Sequence, residues 1–369
     1  MADLPVLAPV LARYGGDITA DFVARFVRDP ALAGILGGWA AYFGYGAHRI
    51  AAVAIAKVTE ACFDGGVLQP DGGVTALTDA LRGVIENHAG QLLLSAPVER
   101  ITTSGGAADG VLLADGRAVS ARTVVSGVDV VRTLRMAGLQ PGRLTGIEPF
   151  RSPFSVFLGL RADGLTALDG AGVAVIFPGY DNHAQDRAQL AGRVAEAPVS
   201  LGVPTVLNPG LAPDGHHIAL LYTFTTAERI AHLAVDRAAA DRYADELVVA
   251  AERALPGLRD SVATRAVSVG SVASIYHDTG GALGWAPTPE TLIGNGHAAR
   301  LLRTRVGGAT ASALTRALPG VVSGLAARAL PGITTPLNEL YCVGQWTSTG
   351  AGMNNVCRGA ALVADRITR

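Results

Sequence analysis

The stretch Leu340–Ile367, LYCVGQWTSTGAGMNNVCRGAALVADRI, decides the fold. LYCVG is a short apolar run ended by Gly344, the pattern of a buried strand, and from about Met353 onward Val356, Ala360, Val363 and Ile367 recur at helical spacing. A strand, a glycine-rich loop and a helix therefore follow one another. Gly350 and Gly352 let the backbone approach a ligand closely, and the first turn of the helix offers unpaired N–H groups and the positive end of its dipole. Such a turn suits an anion or an electron-rich ring edge. On this pattern alone, an ordinary strand–loop–helix closing an α/β domain is an equally good reading.

A second informative run lies upstream, GVLQPDGGVTALTDALRGVIENHAGQLLLSAPVERI, ending at Ile101. Gly72-Gly73 precedes a helix with Leu77, Leu81, Val84 and Ile85 on one face, Gly90 stops it, and a strand is expected through Leu92, Leu94 and Val98 to Ile101. Asp115-Gly116, between Val111–Leu113 and Ala118-Val119, is the dipeptide favoured at a tight hairpin turn, so an antiparallel meander follows. The run VVSGVD, Val124–Asp129, comes next.

Together these segments resemble the phytoene desaturase and carotenoid oxidoreductase family, within the amine-oxidase-like flavoproteins. In that family the strand ending in glycine leads into a loop along FAD, and the helix N-terminus faces the pyrimidine side of the isoalloxazine. The resemblance implies that Gly344, Gln345, Gly350, Gly352 and Met353 line the cofactor. It also implies that Val98 offers its backbone to the adenine and that Val124–Asp129 is the strand returning to the flavin domain. Gln345 departs from the acidic residue that many relatives use to bond the cofactor's sugar or ribityl hydroxyls, although an amide can bond a hydroxyl too.

The rest of the chain divides by texture. Residues 17–63 are helical in pattern: Asp17 or Thr19 is expected to cap a first helix carrying Phe22, Phe26 and Val27, and Pro30 opens a second with Leu32, Ile35 and Leu36 on one face. Apart from Arg49, no charge falls between Pro30 and Lys57, which predicts helices buried in a core or lining an apolar cavity. Tyr42, Tyr45 and Trp285 are the candidate cavity aromatics, with plain core as the competing reading. SVFLGL (155–160), VAVIF (173–177) and HHIALLYTF (216–224) read as strands of one antiparallel sheet, and 239–255 as an amphipathic helix ended by Pro256-Gly257. The resemblance makes this sheet and its helices the substrate domain around an apolar tunnel, and places Ala282–Trp285 near the substrate end of the flavin.

The expected class is thus α/β with α+β mixing: an incomplete FAD-binding Rossmann-like domain plus a substrate domain of antiparallel sheet and helices. Its expected parts are a helical part of the substrate domain (1–68), a FAD-domain segment with the meander (69–150), the substrate sheet and helices (151–299), a helical insertion (300–332) and the C-terminal FAD-binding segment (333–369). The family's opening strand and G-x-G-x-x-G turn, which hold the pyrophosphate, have no counterpart here. Gly44-x-Gly46 lies in a helical region, and Gly294-Asn295-Gly296 follows no convincing strand. Three explanations stand open: a second polypeptide carrying the βαβ unit, a chain rebuilt to work without FAD, or a truncated sequence.

Composition excludes several classes. The 369 residues are 49% hydrophobic and 17% charged, with a formal net charge of −1, so no basic stripe suggests nucleic acid as a partner. No apolar run is long enough to span a bilayer and the start is a poor signal peptide, so a cytoplasmic protein is expected, with peripheral membrane association left open by an apolar substrate. Cys62, Cys342 and Cys357 have neither metal-ligand nor disulfide spacing, and His216-His217 at a strand start point to opposite faces, so no metal is expected. Among Tyr276, His277 and Asp278, His277 is the candidate catalytic acid or base, with an ordinary loop histidine as the plainer alternative. The resulting expectation is an FAD-dependent, desaturase-like oxidoreductase subunit acting on an apolar small molecule and sharing its cofactor with a partner chain. The alternative is a flavin-free descendant, either a ligand-binding protein or a non-redox cyclase or isomerase.

Overall fold

The computed structural model describes residues 14, 16–64, 66, 68–162, 172–269, 284–289, 291, 332–347, 350 and 352–369. His277 with its neighbours Tyr276 and Asp278, the Gly294–Gly296 turn and residues 300–331 of the expected insertion lie outside them.

The helical opening contains α1 (Thr19–Ala24), α2 (Pro30–Gly38) and α3 (Ala52–Asp64), with a 3-10 turn over Trp39–Phe43. Pro30 starts α2 as expected, and Asp29 caps it by accepting from the Leu32 N–H at 2.8 Å. The capping expected of Asp17 or Thr19 is corrected. The N-cap of α1 is Ile18, and Thr19 instead donates its hydroxyl to the Ile50 carbonyl at 2.9 Å, tying α1 to the segment before α3.

Helix α4 (Gly73–Asn87) ends at Ala89 in the left-handed region and Gly90. The strand expected from Leu92 begins only at Val98, because Ser95 adopts a φ of 53° and breaks the extended run; Leu94 is 85% exposed. Strands β1 (Val98–Ser104), β2 (Ala107–Leu113) and β3 (Ala118–Ser120) form the antiparallel meander, turning at Gly105-Gly106 and at Asp115-Gly116. Strand β4 (Val124–Ser126) leads into α5 (Val130–Met136), whose N-cap, the fully buried Asp129, accepts from the Val131 N–H at 2.7 Å.

The largest sheet has the order β6-β7-β8-β5-β9, all antiparallel, from β5 (Ser152–Arg161), β6 (Val173–Ile176), β7 (Val199–Gly202), β8 (His216–Thr225) and β9 (Val262–Val269). Period-two alternation sends Phe154, Val156, Leu158 and Leu160 of β5 to one buried face. Helix α6 (Asn182–Ala191) precedes β7; α7 (Ala227–Val235), α8 (Arg237–Ala251) and the short α9 (Leu258–Ser261) follow β8, and Leu233, Ala244 and Leu247 close the main core. Strand β10 (Leu340–Cys342) and α10 (Met353–Ile367) end the chain.

Among the described residues no helix is long and apolar enough to cross a membrane.

Candidate functional site

Two segments far apart in sequence meet at the site. Strand β10 pairs in parallel with β4, Leu340 opposite Val124 and Cys342 opposite Ser126, and the Val343 N–H extends the ladder to the Ser126 carbonyl at 2.9 Å. Both strands end in glycine. At Gly344, with φ of 93°, an added Cβ would stand 3.3 Å from the Gly127 carbonyl oxygen, so the close approach of the two strand ends favours glycine there. The C-terminal ends of neighbouring parallel strands are where open α/β sheets bind ligands.

The loop beyond is pinned from inside. Thr347 is fully buried and donates its hydroxyl to the Gly344 carbonyl at 2.9 Å, while the Gly350 N–H reaches the Thr347 carbonyl at 3.0 Å. Trp346, 1% exposed, meets Trp285 edge to face with ring centroids 4.7 Å apart, and the Trp285 indole N–H donates to the Trp346 carbonyl at 3.0 Å. The tryptophan pair thereby fixes the loop onto the core that also holds Phe150, Phe224 and Cys342. Burial pushes the Cys342 thiol up to about 12, so it stays protonated and serves as a small apolar side chain.

Past the pin the backbone opens. Gly350 has φ of 87° and Gly352 has φ of 99°, and a Cβ built at Gly352 would meet no heavy atom within 4 Å. Gly352 is the N-cap of the 15-residue α10 and supplies no side chain to cap it. Met353 is half exposed at the first helical position, and Lys57, the chain's only lysine, reaches from α3 to the Asn355 side-chain oxygen at 3.5 Å. A helix N-terminus without a side-chain cap, preceded by two positive-φ glycines of which Gly352 faces open space, fits the anionic or electron-rich edge of a bound group such as a flavin.

The other sequence-predicted residues are spread out. Val98 is half-buried at the start of β1, opposite Leu113; its sheet reaches the C-terminal segment through the Ala108 N–H, which donates to the Asn338 carbonyl at 2.9 Å. Gln345 is half-buried between Gly344 and Trp346. Tyr42 is 51% exposed, whereas Tyr45 is 2% exposed and donates its hydroxyl to the Pro149 carbonyl at 3.2 Å. Burial raises the pKa of both phenols. Ring contacts run from Tyr42 to Phe43, on to Phe150 and then to Phe224, with Tyr45 also edging Phe150 at 5.9 Å. Phe150 belongs to the same core as Trp285, whose own ring contact is with Trp346.

Sequence reasoning missed Trp346 and Thr347, although a tryptophan one residue beyond a glycine-ending strand was a visible signal. It also missed a buried polar cluster of Arg151, Asp186 and Gln189, for which the local sequence carries no motif. Among the described residues no group of three His, Cys, Asp or Glu side chains could hold a metal ion.

The chain is 28% identical over 376 residues to a chloroplastic prolycopene isomerase from an Oncidium hybrid cultivar, covering 98% of this chain and 57% of that protein. It is also 28% identical over 253 residues to a lycopene-forming phytoene desaturase from a Paracoccus strain, covering 66% of this chain and 49% of that protein. This chain is a homologue of the phytoene desaturases and prolycopene isomerases. It thus spans about half the length of the curated relatives it matches. No family model matches it. An oxidoreductase from Methanosarcina mazei superposes with a TM-score of 0.62 at 17% identity, covering 99% of this chain and 72% of that one. Cyclohexylamine oxidase from Brevibacterium oxydans gives a TM-score of 0.52 at 13% identity, covering 97% and 69%. The chain therefore shares the mixed α/β fold of these two enzymes.

Proposed function

We propose that this chain is the substrate-side subunit of an FAD-dependent oxidoreductase of the desaturase type, acting on an apolar, polyene-like or polycyclic small molecule. Its FAD is shared with a partner chain that supplies the strand–G-x-G-x-x-G–helix unit. The observation that carries this reading is the open cradle formed by Gly350, Gly352 and the N-terminus of α10 where β4 and β10 end together. FAD, when bound, supplies a hydride acceptor. The chain's own residues hold and orient: the first-turn N–H groups of α10 stabilise negative charge, Gly344 and Gly352 keep the backbone clear, and Trp285 with Trp346 anchors the loop.

The share assigned to a partner rests on uncovered apolar surface. Val74, Leu81 and Val84 of α4 are 55–57% exposed, and Val125 of β4 with Leu362 and Ile367 of α10 are 40–45% exposed. A two-stranded sheet with an edge of this kind buries little by itself, and a βαβ unit would cover apolar faces such as these. Leu32, Ile35 and Leu36 form a second exposed face, on α2, and Phe63 is 76% exposed on α3, which supports peripheral contact with the membrane that holds an apolar substrate.

The similarity to proteins named isomerases favours a second reading, in which the same apolar site rearranges a polyene without net oxidation. The test is an FAD titration of the purified chain, alone and with a co-expressed βαβ polypeptide from a neighbouring gene. A visible flavin band in the mixture, reduced at least about tenfold in affinity by Gly352→Val, is expected. A colourless monomer that binds an apolar ligand and takes up no FAD in either sample would reject the oxidoreductase reading. Product analysis on a polyene then separates desaturation from isomerisation.

A further inference from the structure

A buried polar cluster outside the glycine cradle joins the helical opening to the large sheet. Arg151, just before β5 and 9% exposed, donates from Nη1 to the Gly44 carbonyl at 2.7 Å, to Asp186 Oδ1 at 2.5 Å and to Gln189 Oε1 at 3.1 Å, with its Cζ 4.2 Å from the Tyr45 ring centroid. Asp186 on α6, 5% exposed, also accepts from the Gly46 N–H at 3.0 Å. One ion pair thus grips both sides of the turn that carries Tyr45. Gly44 has no slack: at φ of 73°, an added Cβ would fall inside the Phe224 ring.

His48 completes the cluster. Its Nε2 lies 3.4 Å from Asp186 Oδ2, and its ring stacks on His183 of α6 with centroids 4.1 Å apart and planes tilted by 38°. Its Nδ1 is buried and has no hydrogen-bond partner among the described residues. In the neutral ring, the nitrogen facing Asp186 can carry the proton and donate it. A second proton must then go onto Nδ1, where no acceptor stands among the described residues and where a Cβ added at Gly46 would lie only 2.7 Å away.

We propose that the His48–His183 stack on the Arg151–Asp186 pair is an acid-sensitive latch, which releases the Gly44–His48 turn from α6 when His48 takes up a proton. The charged neighbours set the balance. Asp186 favours the charged ring; His183, Arg151 and Arg49 oppose it, with Arg49 itself paired to Glu148 at 2.5 Å. Desolvation is the largest effect, and the sum lowers the His48 pKa below its ordinary value. The folded latch therefore binds the proton more weakly than the unfolded chain does. Its stabilisation is present above about pH 6.5 and is lost as the pH falls from there through the depressed folded value.

The reading is independent of FAD, because none of these residues belongs to the glycine cradle. Hydrogen exchange at the Gly46 amide, corrected for intrinsic rate, tests it on the full chain at about pH 8 and about pH 5. Protection is expected to fall several-fold on acidification in the native chain, less in His183→Gln, and not at all in His48→Gln. An equal fall in all three would overturn the latch. Should His48→Gln fail to fold, the native chain decides: loss of Gly46 protection that follows the His48 ring's own NMR titration sustains the proposal, and loss at another pH, or none, defeats it.

Discussion

The large antiparallel sheet and the β4–β10 pair come from the same apolar-rich chain, yet they differ in what they bury. The sheet with α7 and α8 encloses Phe154, Val156, Leu158, Leu160, Leu221 and Leu247, each at most 1% exposed. Beside β4 and β10, Cys342 and Trp346 join the buried core around Phe150 on one side and Ile101, Ala108 and Leu340 make a small cluster on the other, while α4 and α10 turn leucines and valines to solvent. The first region closes on itself. The second is buried around its strands and leaves its helix faces open, and a 15-residue helix such as α4 is marginal on its own propensity alone. What the difference teaches is that the apolar stripes of α4 and α10 specify a neighbour as well as a helix.

The sharpest way to break this comparison is to damage the closed region. Phe154, fully buried with its ring edge-on to Tyr243 at 4.8 Å, should lose about 3–5 kcal/mol on replacement by alanine, read from urea unfolding. Arg151→Met should cost about 3 kcal/mol, at the low end for breaking a buried pair because the Gly46 N–H still serves Asp186. A loss below about 1 kcal/mol for either would mean that the seam or the core is looser than the packing shows. Asp236→Ala, which removes the cap donated to by the Ala239 N–H at 2.9 Å, should cost about 1 kcal/mol by the same measurement.

Legibility in the sequence follows the same division. The strands expected at 155–160, 173–177 and 216–224 are β5, β6 and β8, and the helix expected at 239–255 is α8, because period-two and period-3.6 patterns were both clear there. Strands β7 and β9 show no such signal: VSLG is too short for a period, and VATRAVSV, an edge strand with no buried member, does not alternate. Around the glycine cradle, local signals sufficed for β10, the loop and α10, since each glycine needs its conformation for a local reason. The parallel pairing of β10 with β4 was not readable from either strand, because three residues carry no register signal. The Arg151–Asp186–His48 cluster was invisible for a related reason. Its members come from three separated segments, and each alone looks like an ordinary charge or imidazole.

The smallest expected effect is the most discriminating. Leu81 and Leu362 are 55% and 40% exposed, so Leu81→Ala and Leu362→Ala should each change the stability of the isolated chain by less than about 0.5 kcal/mol, whereas a leucine in the main core would cost several times more. If a βαβ partner covers these faces, the same substitutions should weaken its association by about 1 kcal/mol or more each, measured by titrating the partner into the variants. Unchanged association would mean that the stripes of α4 and α10 are not the contact. A large loss of stability in the isolated chain would mean that these leucines already pack within it, and the contrast between the two regions would disappear.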